Sequence, residues 1–194
     1  KALDIGITPM RVFELTRRLR TLTDVPLVLM GYYNPIFQLG EGPYAHLAKE
    51  AGADGLIVPD LPLEESNGLR QSCALNGMDL IQLVGPTTSE ERMSKIVRAC
   101  MGFLYVVSAL GTTGARSSLS NDVEALVKRA KRAAGPLPIG VGFGISQREH
   151  TERLYAQGAD AAIVGSALLK NIIDGAAPED TRKFVAGLRD GRTS

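Results

Sequence analysis

Apolar residues along this chain follow two alternating spacings. Short apolar runs, several rich in β-branched residues, fall at 26–30 (PLVLM), 55–58 (GLIV), 79–84 (DLIQLV), 103–107 (FLYVV), 137–141 (LPIGV) and 161–164 (AAIV). They lack the polar position at every second residue that marks a half-exposed strand. The pattern therefore predicts parallel strands buried on both faces. Between them, apolar residues recur every three or four positions, predicting helices over 9–21, 44–51, 64–76, 90–100, 122–133, 147–157 and 179–189. Thr8-Pro9, Ser89 with Glu90 and Glu91, and Ser146 read as helix starts. Gly52, Gly77 and Gly158 read as helix ends. A faint internal echo, EAGADGLIVPD and YAQGADAAIVG, repeats the sequence of helix end, glycine turn and buried strand.

The chain is thus a run of βα units of roughly 23–35 residues, the size of crossover units. An open doubly wound sheet would carry G-x-G-x-x-G after its first strand. The nearest match, GVGFG at 140–144, comes late and has the wrong spacing. A (β/α)8 TIM barrel instead places chemistry at the C-terminal ends of its strands and phosphate after the last two, where GFGIS and GSALLKN stand here. The expectation is one α/β barrel domain over residues 1–194, represented by about six βα units, strands 3–8. A barrel of about 250 residues has eight strands. The start at Lys1 and the six predicted strands together suggest that two strands lie upstream.

Composition narrows the field. With 194 residues, 44% hydrophobic and 22% charged, the chain has the make-up of a globular domain. Its net charge of +1 gives no general attraction to nucleic acid or anionic lipid. No apolar run approaches a membrane span, which makes the cytoplasm the default location. Cys73 and Cys100, each in a segment read as helix, are expected to be reduced packing residues, with no disulfide or metal framework.

The predicted strand ends carry the candidate chemistry. Thr113-Gly114, Phe143-Gly144 and Gly165-Ser166 can each offer backbone N–H groups to one phosphate, the last at a helix N-terminus. GYYNPIFQLG places two tyrosines, an asparagine and a phenylalanine in a mouth loop, and LGTTGARSS reads as a mobile lid. Tyr105 can face the barrel interior from within its strand. Asp60, in PDLP at a strand end, stands where barrel enzymes keep orienting groups. His46 and His150 lack companions and read as surface residues. The basic stretch 128–134 reads as a solvated helix face.

The succession LMGYYNPIF, AGADGLIVPDLPLEES, GPTTSEER, YVVSALGTTGAR, GVGFGIS and AAIVGSALLK resembles the tryptophan synthase α chain family along essentially the whole chain. The resemblance implies a lyase of tryptophan biosynthesis. Such an enzyme cleaves indole-3-glycerol phosphate to indole and glyceraldehyde 3-phosphate, and works in an α2β2 assembly whose β subunit carries pyridoxal phosphate (PLP). It implies no cofactor or metal in this chain. By resemblance, Gly114, Phe143, Gly144, Gly165 and Ser166 serve the phosphate, and Met30, Ile57 and Tyr105 line the indole pocket. Thr113 becomes the lid threonine, Asp60 a supporting aspartate that communicates with the partner, and Asn34 and Pro62 interface residues. The family's two principal acid–base carboxylates match nothing in these residues, so the chain as given is expected to be inactive. Two alternatives stay open: another phosphate-binding barrel enzyme, which would want a strand-end lysine or a histidine–aspartate metal site, and a non-catalytic barrel fragment that binds a partner.

Overall fold

The computed structural model describes residues 6–107, 121–142 and 144–189. Its elements run α1 (Pro9–Arg20), β1 (Val28–Met30), α2 (Tyr33–Leu39), α3 (Glu41–Glu50), β2 (Gly55–Ile57), α4 (Asn67–Leu75) and β3 (Asp79–Ile81). Next come β4 (Leu83–Val84), α5 (Glu90–Ala99), β5 (Leu104–Val107), α6 (Asn121–Ala134) and β6 (Ile139–Gly142). The chain continues with α7 (Arg148–Ala156), β7 (Ala161–Ile163), α8 (Ser166–Ile173) and α9 (Pro178–Leu188). All strand pairings are parallel, as the unbroken apolar runs predicted.

The chain divides into two compact units. The first comprises Lys1–Gln82 and Ala99–Gly102, the second Leu83–Arg98 and Phe103–Ser194. The run 79–84, read as one strand, is interrupted at Gln82. Its first part pairs with β2 in one sheet and its last two residues pair with β5 in the other.

In the first unit the sheet order is β1-β2-β3. Its core joins Leu56 and Leu80 to Phe13, Tyr44 and Leu69 from the helices, with Phe13 edge-on to Tyr44 at 5.1 Å between ring centroids. Ala45 and Ala48, both fully buried, leave room for α3 to lie close against α4. Thr8 caps α1, accepting the Arg11 N–H at 3.4 Å, and Pro9 follows at the first helical position.

In the second unit the order is β4-β5-β6-β7. Leu104, Val106, Ile139 and Val141 form one buried face, and α6 covers it with Val123, Val127 and Ala130 at helical spacing. Ser89 accepts the Arg92 N–H at 3.2 Å at the start of α5.

Several expectations need correction. Burial on both faces fails for the outer strands. Met30 of β1 is 61% exposed and Ala161 of β7 is exposed, because each strand is paired on one side only among the described residues. GYYNPIFQLG is not an open loop: Tyr33–Leu39 is helical, with Pro35 in the first turn, where its missing N–H breaks no hydrogen bond. Ser146 does not cap α7; Gln147 holds the N-cap position, without a side-chain bond. His150 is buried rather than on the surface, and its Nδ1 lies 3.4 Å from the Ser146 backbone N as acceptor. Cys100 falls one residue beyond α5, where its Sγ accepts the Gln82 N–H at 3.3 Å.

Candidate functional site

The first unit sets Asp60 beside α2. A turn closed by the Leu61 N–H on the Val58 carbonyl follows β2 and leaves Asp60 exposed while Leu61 turns inward. The Asp60 carboxylate accepts the Tyr33 N–H with both oxygens, at 2.9 and 3.2 Å. Tyr33 is the first residue of α2, whose N-cap, Tyr32, offers no side-chain acceptor. Asp60 therefore supplies that cap from a distant loop. The Tyr33 phenol donates to Glu41 at 2.8 Å, and this bond, followed by burial and the carboxylate charges, raises its pKa. Glu41 in turn lies against Gly68 at the start of α4, where a side chain would push its carboxylate aside. Asn34 and Pro62 are both exposed in this unit. Ile57 is buried near the end of β2, and Met30 ends β1 with its side chain open.

The second unit accounts for most of the glycines in GVGFG. Phe103, just before β5, and Tyr105 within it alternate with buried Leu104 and Val106, so their rings share the other face, 6.5 Å apart. In β6 those rings lie over Gly140 and Gly142. A Cβ on Gly142 would stand 2.5 Å from the Tyr105 hydroxyl, and one on Gly140 3.1 Å from the Phe103 ring. Ring packing thus leaves no room for a side chain at Gly142 without moving Tyr105, and little at Gly140. Burial raises the Tyr105 pKa, keeping its phenol neutral at ordinary pH.

Gly144 and Gly165 differ. A Cβ on either would meet nothing within 4 Å among the described residues, so no described contact requires their bare backbone. Gly165 is the N-cap of α8 and has no side-chain acceptor to give. Ser166, exposed, opens a helix whose first N–H groups receive no side-chain cap from that position. An oxyanion approaching there meets free donors and the positive end of the helix dipole.

The proposed positions thus group as Met30, Asn34, Ile57, Asp60 and Pro62 in the first unit, and Tyr105, Gly144, Gly165 and Ser166 in the second. Thr113, Gly114, Phe143 and the lid 110–118 lie outside the described residues. Sequence reasoning missed Tyr33, although the proline two residues after it was a usable sign of a helix start. Among the described residues no three His, Cys, Asp or Glu side chains gather to hold a metal, and no helix is long and apolar enough to cross a membrane. Both thiols are unreactive by environment: burial first of all pushes Cys73 up to about 12 and Cys100 to about 11.

The family model described as tryptophan synthase alpha chain matches residues 1–189. The tryptophan synthase alpha chain of Methanocaldococcus jannaschii is 48% identical over 171 residues, which span 88% of this chain and 60% of that protein. The Synechocystis alpha chain is 42% identical over 194 residues, spanning 100% of this chain and 73% of its own length. The chain therefore spans roughly 60–73% of such relatives. Among solved structures, a chain from the tryptophan synthase α2β2 complex of the hyperthermophile Pyrococcus furiosus superposes with a TM-score of 0.91 at 38% identity. That match covers 96% of this chain and 76% of the other. The tryptophan synthase α-subunit of the same organism gives 0.90 at 35% identity, with the same coverage of 96% and 76%. The α/β class with parallel strands is thereby shared with these solved chains.

Proposed function

The chain belongs to the tryptophan synthase alpha chain family, and from that premise we propose that it binds indole-3-glycerol phosphate and serves a PLP-dependent β subunit in tryptophan synthesis. The family reaction is a retro-aldol cleavage. A proton must reach the indole ring carbon while another leaves the glycerol hydroxyl, and the bond between ring and side chain breaks to give indole and glyceraldehyde 3-phosphate. In this reading the chain acts as a single domain, needs no cofactor of its own and works in the cytoplasm.

The roles follow the resemblance. Gly144, Gly165 and Ser166, with Gly114 and Phe143, receive the phosphate. Met30, Ile57 and Tyr105 meet the indole. Thr113 belongs to the lid, and Asn34 and Pro62 face the β subunit. The observation that most supports this is the bare backbone at Gly165 ahead of the uncapped α8, which suits a dianion needing N–H donors and no side-chain charge.

The two proton-transferring carboxylates match nothing in these 194 residues. These residues alone are accordingly proposed to bind the substrate without turning it over. Incubation with indole-3-glycerol phosphate, with and without a tryptophan synthase β subunit and serine, tests the reading. The expected result is stimulation of the β subunit's serine chemistry with no indole released. Indole release by these 194 residues contradicts the inactivity, and the absence of any effect on the β subunit contradicts the partnership.

A further inference from the structure

Within the second unit, α5 and α6 carry a cluster of charged groups that the functional reading leaves unused. A cavity of about 370 Å³ opens between them, lined by Glu90, Met93 and Ser94 on α5 and by Arg129, Arg132 and Ala133 on α6. That volume falls at the lower end of the roughly 300–1,000 Å³ of small-molecule sites. On each helix the three residues stand three and four positions apart, so each trio shares one face.

Arg129 is held in place by the protein itself. Its Nη2 donates to the Pro86 carbonyl at 3.2 Å, in the loop that leads into α5. Its Nε is shut off from solvent and finds no acceptor among the described residues. Buried donors are nearly always paired, so this guanidinium has bonding capacity that the protein leaves open. Arg132 and Glu90, both exposed, line the same cavity with opposite charges, yet form no ion pair with each other among the described residues. Buried Met93 and half-buried Ala133 add apolar surface to the wall.

A simple anion would suit the two arginines but meet the Glu90 carboxylate as a like charge. A simple cation would face the converse. A molecule bearing both charges suits all three groups. We propose that this cavity binds an α-amino acid with an apolar side chain. Its carboxylate lies on Arg129 and Arg132, its ammonium on Glu90, and its side chain against Met93 and Ala133. The planar fork of a guanidinium matches a carboxylate, and a small shift of Arg129 brings its unpaired Nε onto that acceptor. The site shares no residue with the positions proposed for indole-3-glycerol phosphate, so the inference stands apart from that reading.

The test is a titration of the full chain, followed through its backbone amides by NMR. Three probes share one carbon skeleton: L-leucine, isocaproate, which lacks the ammonium, and isoamylamine, which lacks the carboxylate. Leucine is expected to shift the amides of Ser94 and Ala133 saturably. It should bind about tenfold more tightly than either counterpart, because each has lost one charge-assisted bond. Arg132→Gln should weaken leucine and isocaproate by about tenfold and leave isoamylamine unchanged. Glu90→Gln should weaken leucine and isoamylamine without weakening isocaproate. Both residues are exposed, so neither substitution disturbs the core. Isocaproate binding as tightly as leucine, or inorganic phosphate displacing leucine, would mark a plain anion site and overturn the proposal. The absence of any saturable shift on α5 and α6 with leucine overturns it as well.

Discussion

The turn entering β2 and the turn entering β7 are built from the same parts in two separate units. Each follows a helix that ends on a glycine in the left-handed region, Gly52 at φ +95° and Gly158 at φ +97°. In each, the next alanine N–H reaches back to a carbonyl in the last helical turn, from Ala53 to Ala48 and from Ala159 to Leu154. In each, an aspartate then pairs reciprocally with the neighbouring strand segment. The Asp54 N–H donates to the Leu27 carbonyl and its carboxylate accepts the Leu27 N–H at 2.8 Å; Asp160 does the same with Ile139, also at 2.8 Å. A cation from an earlier helix closes both, Arg20 on Asp54 at 2.5 Å and Lys131 on Asp160 at 2.6 Å.

The difference lies in what that cation does besides. Arg20 also donates to the Gly52 carbonyl twice and to the Thr23 and Val25 carbonyls, so its guanidinium knots three pieces of backbone together. Among the described residues Lys131 makes one hydrogen bond, to Asp160. Both ion pairs are substantially exposed, so the charge attraction itself contributes little in either place. The backbone bonds are what separate them. Beyond the strands the two regions diverge completely, β2 leading to Asp60 and its hold on α2, β7 to the bare N-terminus of α8. The strand-entry turns repeat because they only need to hold; the strand exits, where barrel enzymes keep their chemistry, differ.

The largest effect should come from Gly52→Ala. The new Cβ would lie 2.8 Å from Arg20 Cγ and 2.9 Å from its Cβ, on a backbone angle alanine tolerates poorly. Arg20 must shift and its knot loosens, for a loss of about 3 kcal/mol in chemical denaturation. Gly158→Ala meets only Lys131 Cγ, at an ordinary 3.6 Å, so the strained backbone alone should cost about 1 kcal/mol. Equal losses at the two sites would break the comparison.

A smaller effect concerns acid. Burial pushes the Asp160 carboxyl up, but the Lys131 hydrogen bond, the Ile139 N–H and the Lys131 charge together outweigh it and hold the carboxyl below its usual value. A carboxyl lowered in the folded state stabilises above its unfolded value and loses that contribution as pH falls through the folded one. Stability should therefore decline below about pH 4, and Asp160→Asn should flatten that decline. An unchanged acid profile in the variant would mean that the Asp160 pairing adds nothing.

Much of this was legible in the sequence, and for particular reasons. The GAD echo announced both strand-entry turns because a left-handed helix end almost demands glycine. The parallel strands followed from their unbroken apolar runs. The break at Gln82 stayed hidden, since pairing partners decide it and not the residues 79–84 themselves. The spacing of Gly140 and Gly142 ruled out a dinucleotide loop, but it cannot show that aromatic rings from a neighbouring strand lie over both glycines. The helix Tyr33–Leu39 was masked by aromatic and polar residues that mimic a loop, and its external cap, Asp60, lies far away in sequence. His150 was misjudged because periodicity places a residue on a face without saying what covers that face.

The most direct test of the functional account is a calorimetric titration of indole-3-glycerol phosphate into the full chain and into Gly165→Val. A side chain at Gly165 meets nothing among the described residues but would obstruct an anion approaching α8. The account predicts binding that glyceraldehyde 3-phosphate displaces and that the substitution weakens at least about tenfold. Binding indifferent to both, or no binding to the unsubstituted chain, would contradict it.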